Sequence, residues 1–162
     1  MKKVIFLGLA AIAVYFTFCY TALSESRVIA FLDRFEDDIN KGNPAAACDK
    51  LNDTVFFSIY DKTKFPPQRI SGDKRDLCNY FNEASLHYAT AMIADRHYRA
   101  DFSIDRGPKS GSLASVSYTE HHEIEFFPSH EKVRTISTEK ITLKRVGTGL
   151  KVTEWIGETK TE

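Results

Sequence analysis

The sequence has no surplus of charge of either sign. Its 22 Lys and Arg residues balance 22 Asp and Glu, and no run of like charge or basic patch interrupts that balance, so nucleic acid is not an expected partner. It also lacks a Gly-x-Ser-x-Gly elbow and a glycine-rich phosphate loop; its "GTG" reads as a hairpin turn. These absences leave no serine nucleophile of the elbow type and no nucleotide cradle. No Cys or His spacing matches a zinc finger, and no helical His-x-x-x-His occurs. The expectation is therefore no metal and no cofactor. Repeats and low-complexity segments are also missing, and cysteine is scarce, at three residues.

Long apolar runs are confined to one place. "MKKVIFLGLAAIAVYFTFCYTALS", residues 1–24, is two lysines followed by an uncharged stretch, the pattern of an export signal. Two outcomes stay open. Ala22-Leu23-Ser24 offers a cleavage site before Glu25, whereas Tyr15, Phe16, Phe18 and Tyr20 suit an uncleaved signal anchor. Either way Lys2 and Lys3 stay cytoplasmic and the rest is exported. The domain is expected to be periplasmic, or anchored to the inner membrane on its outer side, with membrane contact through the N-terminal segment alone. Residues 25–162 are long enough for a single domain with one core. Without Lys2 and Lys3 the basic count falls from 22 to 20 against 22 acidic residues.

Cys19 lies in the leader, which leaves Cys48 and Cys78 as a pair in an exported chain. They are expected to form a disulfide, and closing a loop of about 31 residues contributes roughly 3–4 kcal/mol on the chain-entropy account. The chain around them reads as helical. "SRVIAFLDRFEDDINKGN" places Val28, Phe31, Leu32, Phe35 and Ile39 at helical spacing, with Gly42 as a stop. Asn43 and Pro44 open a short second helix that carries Cys48. "TVFFSIY" is a strand, broken by "FPPQ". After Ser71, read as a cap, Leu77, Tyr80, Phe81, Ala84 and Tyr88 mark a third helix beside Cys78.

Beyond Tyr88 the apolar period changes from helical to two. Four strands follow, at about 90–104, 113–127, 132–146 and 149–158, separated by "DRGPKSGS", "PSHE" and "GT". Short loops make this an antiparallel meander, and strands this long must bend. The fold class is α+β: three N-terminal helices packed on a strongly curved, four- to five-stranded, mainly antiparallel sheet.

This order of elements, with "FLDRFEDDINKGNPAAACDKL" as helix, stop and second helix and "GLKVTEWIGE" as the closing strand, resembles the NTF2-like superfamily. That superfamily is a cone fold and includes SnoaL-like cyclases and ketosteroid isomerases. The resemblance implies a pocket between sheet and helices, and often a homodimer through the open sheet face. No local motif of those enzymes' catalytic residues matches here, so none is carried over.

Parity then sorts side chains between sheet faces. The hairpins allow a register pairing Ala100 with Tyr118, Tyr98 with Glu120, Arg96 with His122, His122 with Ser137, Glu120 with Glu139, and Ile141 with Glu154. On this reading one apolar face carries a polar island of Arg96, Glu120, His122, Ser137, Glu139 and Glu154, flanked by Tyr98 and Tyr118. His121 falls on the opposite face, so the two adjacent histidines cannot form one site. Opposed glutamates need a proton or a cation between them, and Arg96 and His122 are the expected cations. Either the island lines a pocket or its side chains are solvated or buried in a dimer.

Three functions remain open. The domain binds a small apolar molecule or a protein partner on its curved sheet. Alternatively it is a cyclase- or isomerase-like enzyme with Glu120 or Glu139 as base and His122, Arg96 or Tyr98 in support. The third reading is a membrane-anchored assembly subunit of an envelope complex.

Overall fold

The computed structural model describes residues 12–15, 23–90, 93–106, 112–126 and 129–162, with backbone alone for 87–90 and 93–95. The expectations for most of the leader, for Met92 and for the side chains of Tyr88 and Ala94 lie outside these residues. Among the described residues, no helix is long and apolar enough to cross a membrane.

Helix α1, Glu25–Asn40, buries Val28, Leu32, Phe35 and Ile39, one stripe at steps of four and three. Gly42 ends it with φ +76°, and the Asn43 N–H returns to the Asp38 carbonyl at 2.7 Å, a left-handed stop. Just ahead of α1, Leu23 is buried and its carbonyl accepts a 3.0 Å bond from Arg106 Nε. Helix α2, Pro44–Asp49, starts on Pro44 as expected. Helix α3, Lys74–Thr90, is capped by Asp73 rather than by Ser71. Asp73 Oδ1 accepts from the Arg75 and Asp76 N–H groups at 2.8 and 3.2 Å, while Asp76 Oδ2 accepts from the Asp73 N–H at 3.3 Å, a reciprocal cap. Cys48 and Cys78 are joined, with Cα atoms 5.5 Å apart, and fasten α2 to α3. Ser85 Oγ donates 2.7 Å to the Ile39 carbonyl, which ties α3 to the end of α1.

The sheet has six strands: β1 Leu51–Asp61, β2 Gln68–Gly72, β3 Ile93–Asp105, β4 Leu113–Phe126, β5 Glu131–Val146 and β6 Gly149–Thr161. Their order is β2-β1-β6-β5-β4-β3. The meander from β3 to β6 is as read from the sequence, but two features correct the expected count of four to five strands. "FPPQ" is only a break before a further strand, β2, and β1 joins β6 in parallel, so the sheet is mixed. Core residues Phe35, Leu51, Phe57, Phe81, Val116 and Ile141 fill the space between the three helices and the concave face.

Two bulges set that concave face. Between Ala100 and Ser103 the β3–β4 ladder slips by one residue, at Asp101, whose φ is +53°. A one-residue slip exchanges the two faces. Beyond it Arg99 faces Glu120 and His97 faces His122, while Arg96 meets Glu123 and Tyr98 meets His121. The second slip lies between Thr142 and Leu143 on β5. Leu143 pairs with Val152 as expected, but Thr142 then meets Glu154, Ile141 meets Trp155 and Glu139 meets Gly157. The β4–β5 ladder keeps its expected parity in a shifted register, with Glu120 opposite Ser137 and Tyr118 opposite Glu139.

Candidate functional site

These slips redraw the polar island. Glu120, His122, Ser137, Glu139 and Tyr118 lie together on the concave face, as expected, and all five line one cavity of about 360 Å³. Arg96, Tyr98 and Glu154 do not. Tyr98 is 62% exposed and stacks on the outer face against His121, ring centroids 4.7 Å apart. Glu154 accepts a 3.0 Å bond from Thr142 Oγ1, away from the cavity. Arg96 is exposed on the Tyr98 side of its strand. All three departures have the same cause, because each residue lies past a bulge that the apolar period does not reveal.

The same slips bring in residues that parity had turned outward. Arg99 takes the place expected for Arg96. It pairs with Asp33 Oδ1 at 2.5 Å through Nη1 and with Glu36 through Nη2, and its Nε lies 3.7 Å from Glu120 Oε1. It thus bridges α1, β3 and β4, with its guanidinium 5.3 Å from the Tyr118 ring centre. Burial works against a charged Arg99, but the hydrogen bond and charge of Glu36 and the hydrogen bond to Asp33 outweigh it and raise its pKa. Trp155 takes the place expected for Glu154 and donates from Nε1 to Glu139 Oε2 at 2.5 Å. Glu36 is legible only as a charge at the edge of the α1 stripe, one residue after Phe35; Trp155 has no signal beyond being the sole tryptophan.

The apolar part of the cavity wall mixes aromatic and aliphatic side chains. Phe35 and Ile39 come from α1, Tyr80, Phe81 and Ala84 from α3, Ile59 and Ile70 from β1 and β2, and Tyr118, Ile124, Ile141 and Trp155 from the meander. Phe35, Phe81 and Trp155 form a mutual cluster with ring centroids 5.5–5.9 Å apart. Exposed Asn40, Thr63 and Lys64 mark the mouth.

At the inner end the polar groups are buried. Glu120, Ser137 and Glu139 are 6–7% exposed. His122 Nε2 lies 3.4 Å from Glu120 Oε2, and Ser137 Oγ shares a 2.9 Å bond with Thr159 Oγ1. Burial lifts the Glu139 carboxyl to about 8; the charges of Glu120 and Glu36 add to this, and the Trp155 N–H and His122 oppose it. Burial also raises Glu36, against its bond to Arg99, and holds the Tyr118 phenol well above its ordinary value. Gly157 makes room for this arrangement: a Cβ there would sit 2.5 Å from Glu139 Oε2.

Glu36, His97 and Glu120 bring possible metal-ligating atoms within 4.8 Å of one another. Arg99 already answers that charge, since it pairs with Glu36 and approaches Glu120 from the same side. Elsewhere, Glu123 on the outer face is paired by Lys132 and Arg134 at 2.9 Å. His130 caps its turn beside Glu125, at 2.8 Å.

No protein-family model and no curated protein matches this sequence. Solved structures match its fold. The β subunit of benzoate 1,2-dioxygenase from Burkholderia mallei superposes with a TM-score of 0.66 at 12% identity, covering 85% of this chain and 91% of that one. Aln2 from a Streptomyces species gives 0.61 at 13% identity over 81% and 86%. A scytalone dehydratase-like protein from Novosphingobium aromaticivorans gives 0.61 at 12% over 83% and 81%. All three are NTF2-like cone folds, and the fold of this chain is NTF2-like. At these identities the likeness concerns fold alone.

Proposed function

We propose that this NTF2-like cone is a binding domain that holds a small, largely apolar molecule between α1, α3 and the concave sheet face. The observation that carries this reading is a cavity of about 360 Å³ with aromatic and aliphatic walls that ends on buried Glu120, Ser137 and Glu139. Apolar walls supply affinity and a few fixed polar groups orient the guest. The charged leader start and the Cys48–Cys78 pair support action in an exported compartment. Exposed Tyr98 and Ile156 on the outer face would serve a protein partner or a second copy.

Trp155 provides the test, because it is the sole tryptophan and forms part of the cavity wall. Full-length protein is to be released from its native compartment and examined by native mass spectrometry, then titrated with small planar apolar compounds while Trp155 emission is followed. A stoichiometric guest, or saturable quenching, is the expected result. An empty protein whose Trp155 emission answers to none of the compounds would refute the reading.

A second reading rests on the carboxyls. Glu139 holds its proton to about 8 near Glu120, which lies 3.4 Å from His122. A carboxyl that keeps its proton beside a second carboxyl and a histidine is an arrangement that proton transfer at carbon can use. In this enzyme, Glu120 removes the proton and Glu139 donates a hydrogen bond to the developing oxyanion. Incubation of candidate guests in deuterated water distinguishes the two readings: exchange abolished by Glu120→Gln supports the enzyme, and guests that bind without exchange support the binding domain.

A further inference from the structure

We propose that the tip of the β1–β2 hairpin is a contact for an anionic lipid bilayer, with Phe65 entering the headgroup layer and Lys62, Lys64 and Arg69 meeting lipid phosphates. This goes beyond the binding reading, since it concerns what the cavity mouth rests on and not what fills the cavity. Phe65 is fully exposed, in a tip, residues 62–67, that Asp61 and Gln68 close by pairing. The tip is held out by its own bonds. Asp61 Oδ1 accepts from the Thr63 N–H and Oγ1 at 2.9 and 2.6 Å, the Lys62 N–H donates to the Thr159 carbonyl at 2.7 Å, and Pro66 and Pro67 restrict the backbone that follows. Phe65 thus stands in water on a fixed support.

A lone exposed apolar side chain asks for no partner by itself, but the setting of this one does. From Tyr60 to Arg69 the chain holds Lys62, Lys64 and Arg69 against a single acid, Asp61. Lys62 pairs with Glu158 at 2.6 Å and Lys64 with Asp61 at 3.7 Å, through exposed lysines whose pairs hold weakly. Arg69 is exposed, lies 5.3 Å from the Tyr60 ring centre and has no ion pair among the described residues. Phe65 is therefore one apolar wedge ringed by cations. A protein interface needs a wider apolar centre, whereas a headgroup layer sets phosphates above hydrocarbon and accepts such a wedge. Thr63 and Lys64 also line the cavity mouth, so the same contact turns that opening toward the lipid, where apolar guests dissolve. It is separate from any contact that the leader makes. β1 and β3 run in opposite directions, and Leu23 is bonded to Arg106 just past the end of β3, so the tip and Leu23 lie at opposite ends of the sheet.

The test places a reporter at the tip of the full-length protein, Phe65→Trp, with the unaltered protein supplying the Trp155 background. Vesicles of phosphatidylcholine alone are compared with vesicles that carry an equal share of phosphatidylglycerol, each with and without brominated acyl chains. With the anionic vesicles the added emission should shift to the blue and be quenched by bromine, and raised salt should weaken both effects. Lys62→Gln with Lys64→Gln, added to the reporter, should raise the lipid concentration at half-shift by about tenfold. Emission from position 65 that stays characteristic of water with both vesicle types would overturn the proposal, even where the leader carries the protein to the lipid. A shift indifferent to lipid charge and to the two lysines would overturn it as well. Cross-linking from position 65 to an envelope protein, with no shift on either vesicle, would assign the tip to a protein contact instead.

Discussion

Trp155 Nε1 donates to Glu139 Oε2 at 2.5 Å, from a strand position that becomes inward-facing only because β5 and β6 slip by one residue between Thr142 and Leu143. The bond opposes the burial that raises the Glu139 pKa. Trp155→Phe should therefore raise that pKa above its present value of about 8. It should also cost about 1–3 kcal/mol of stability, as expected when a buried acceptor loses its donor. Carboxyl carbon chemical shifts followed against pH, with denaturant unfolding in parallel, check both expectations.

Glu139 also sets the pH dependence of folding. Its native pKa is raised, from an ordinary value of 4.5 to about 8, so between these values the native state keeps a proton that the unfolded state has released. The unfolded chain then binds fewer protons, and stability falls as pH rises. The loss begins above about pH 4.5 and levels off above about 8. Urea unfolding at pH 5.5 and 8.5 should show this decline. Glu139→Gln should reduce it, because the amide cannot ionise, and leave the part that comes from the raised Glu36 carboxyl.

Arg99 is the only Lys or Arg paired with Asp33 and Glu36 among the described residues. Replacing it with methionine keeps much of the apolar stem and takes the guanidinium from the largely buried Glu36 and Glu120, while Asp33 stays exposed to solvent. The expected cost is about 3 kcal/mol, since removing one member of a buried pair is worse than never having built it. Adding Glu36→Gln to Arg99→Met should recover part of that loss. A double-mutant cycle by chemical denaturation measures the coupling.

Asp101 carries the bulge that turns Arg99 inward, at φ +53°. Left-handed backbone costs a branched residue roughly 1–2 kcal/mol more than it costs glycine. Asp101→Val should destabilise by about that amount, and Asp101→Gly should be neutral or stabilising. Thermal unfolding of the two variants gives the comparison.

Most of the architecture is legible because burial leaves a periodic trace. The α1 stripe from Val28 to Ile39, the stop at Gly42 and the four strands of the meander all follow from apolar spacing and turn residues. The Cys48–Cys78 pairing follows instead from their being the two cysteines left outside the leader of a chain read as exported. Strand β2 escapes such a reading because five residues after two prolines carry too little pattern, and the Asp73 cap because Ser71 offers a similar side chain nearby.

For the site, the sequence alone determined β4 and one side of β5. The alternation that buries Val116 and Tyr118 on β4, and Ile141 and Leu143 on β5, also turns Glu120, His122, Ser137 and Glu139 into the concave face. Only the tertiary structure decided the rest: that Arg99 and not Arg96 meets Glu120, that Trp155 and not Glu154 meets Glu139, and that Glu36 reaches them from α1. A β-bulge inserts one residue without altering composition or the local apolar pattern, yet it exchanges the faces of everything beyond it. Where a bulge falls is set by how the long strands must bend to close over the helices, a property of the assembled sheet and not of any one strand.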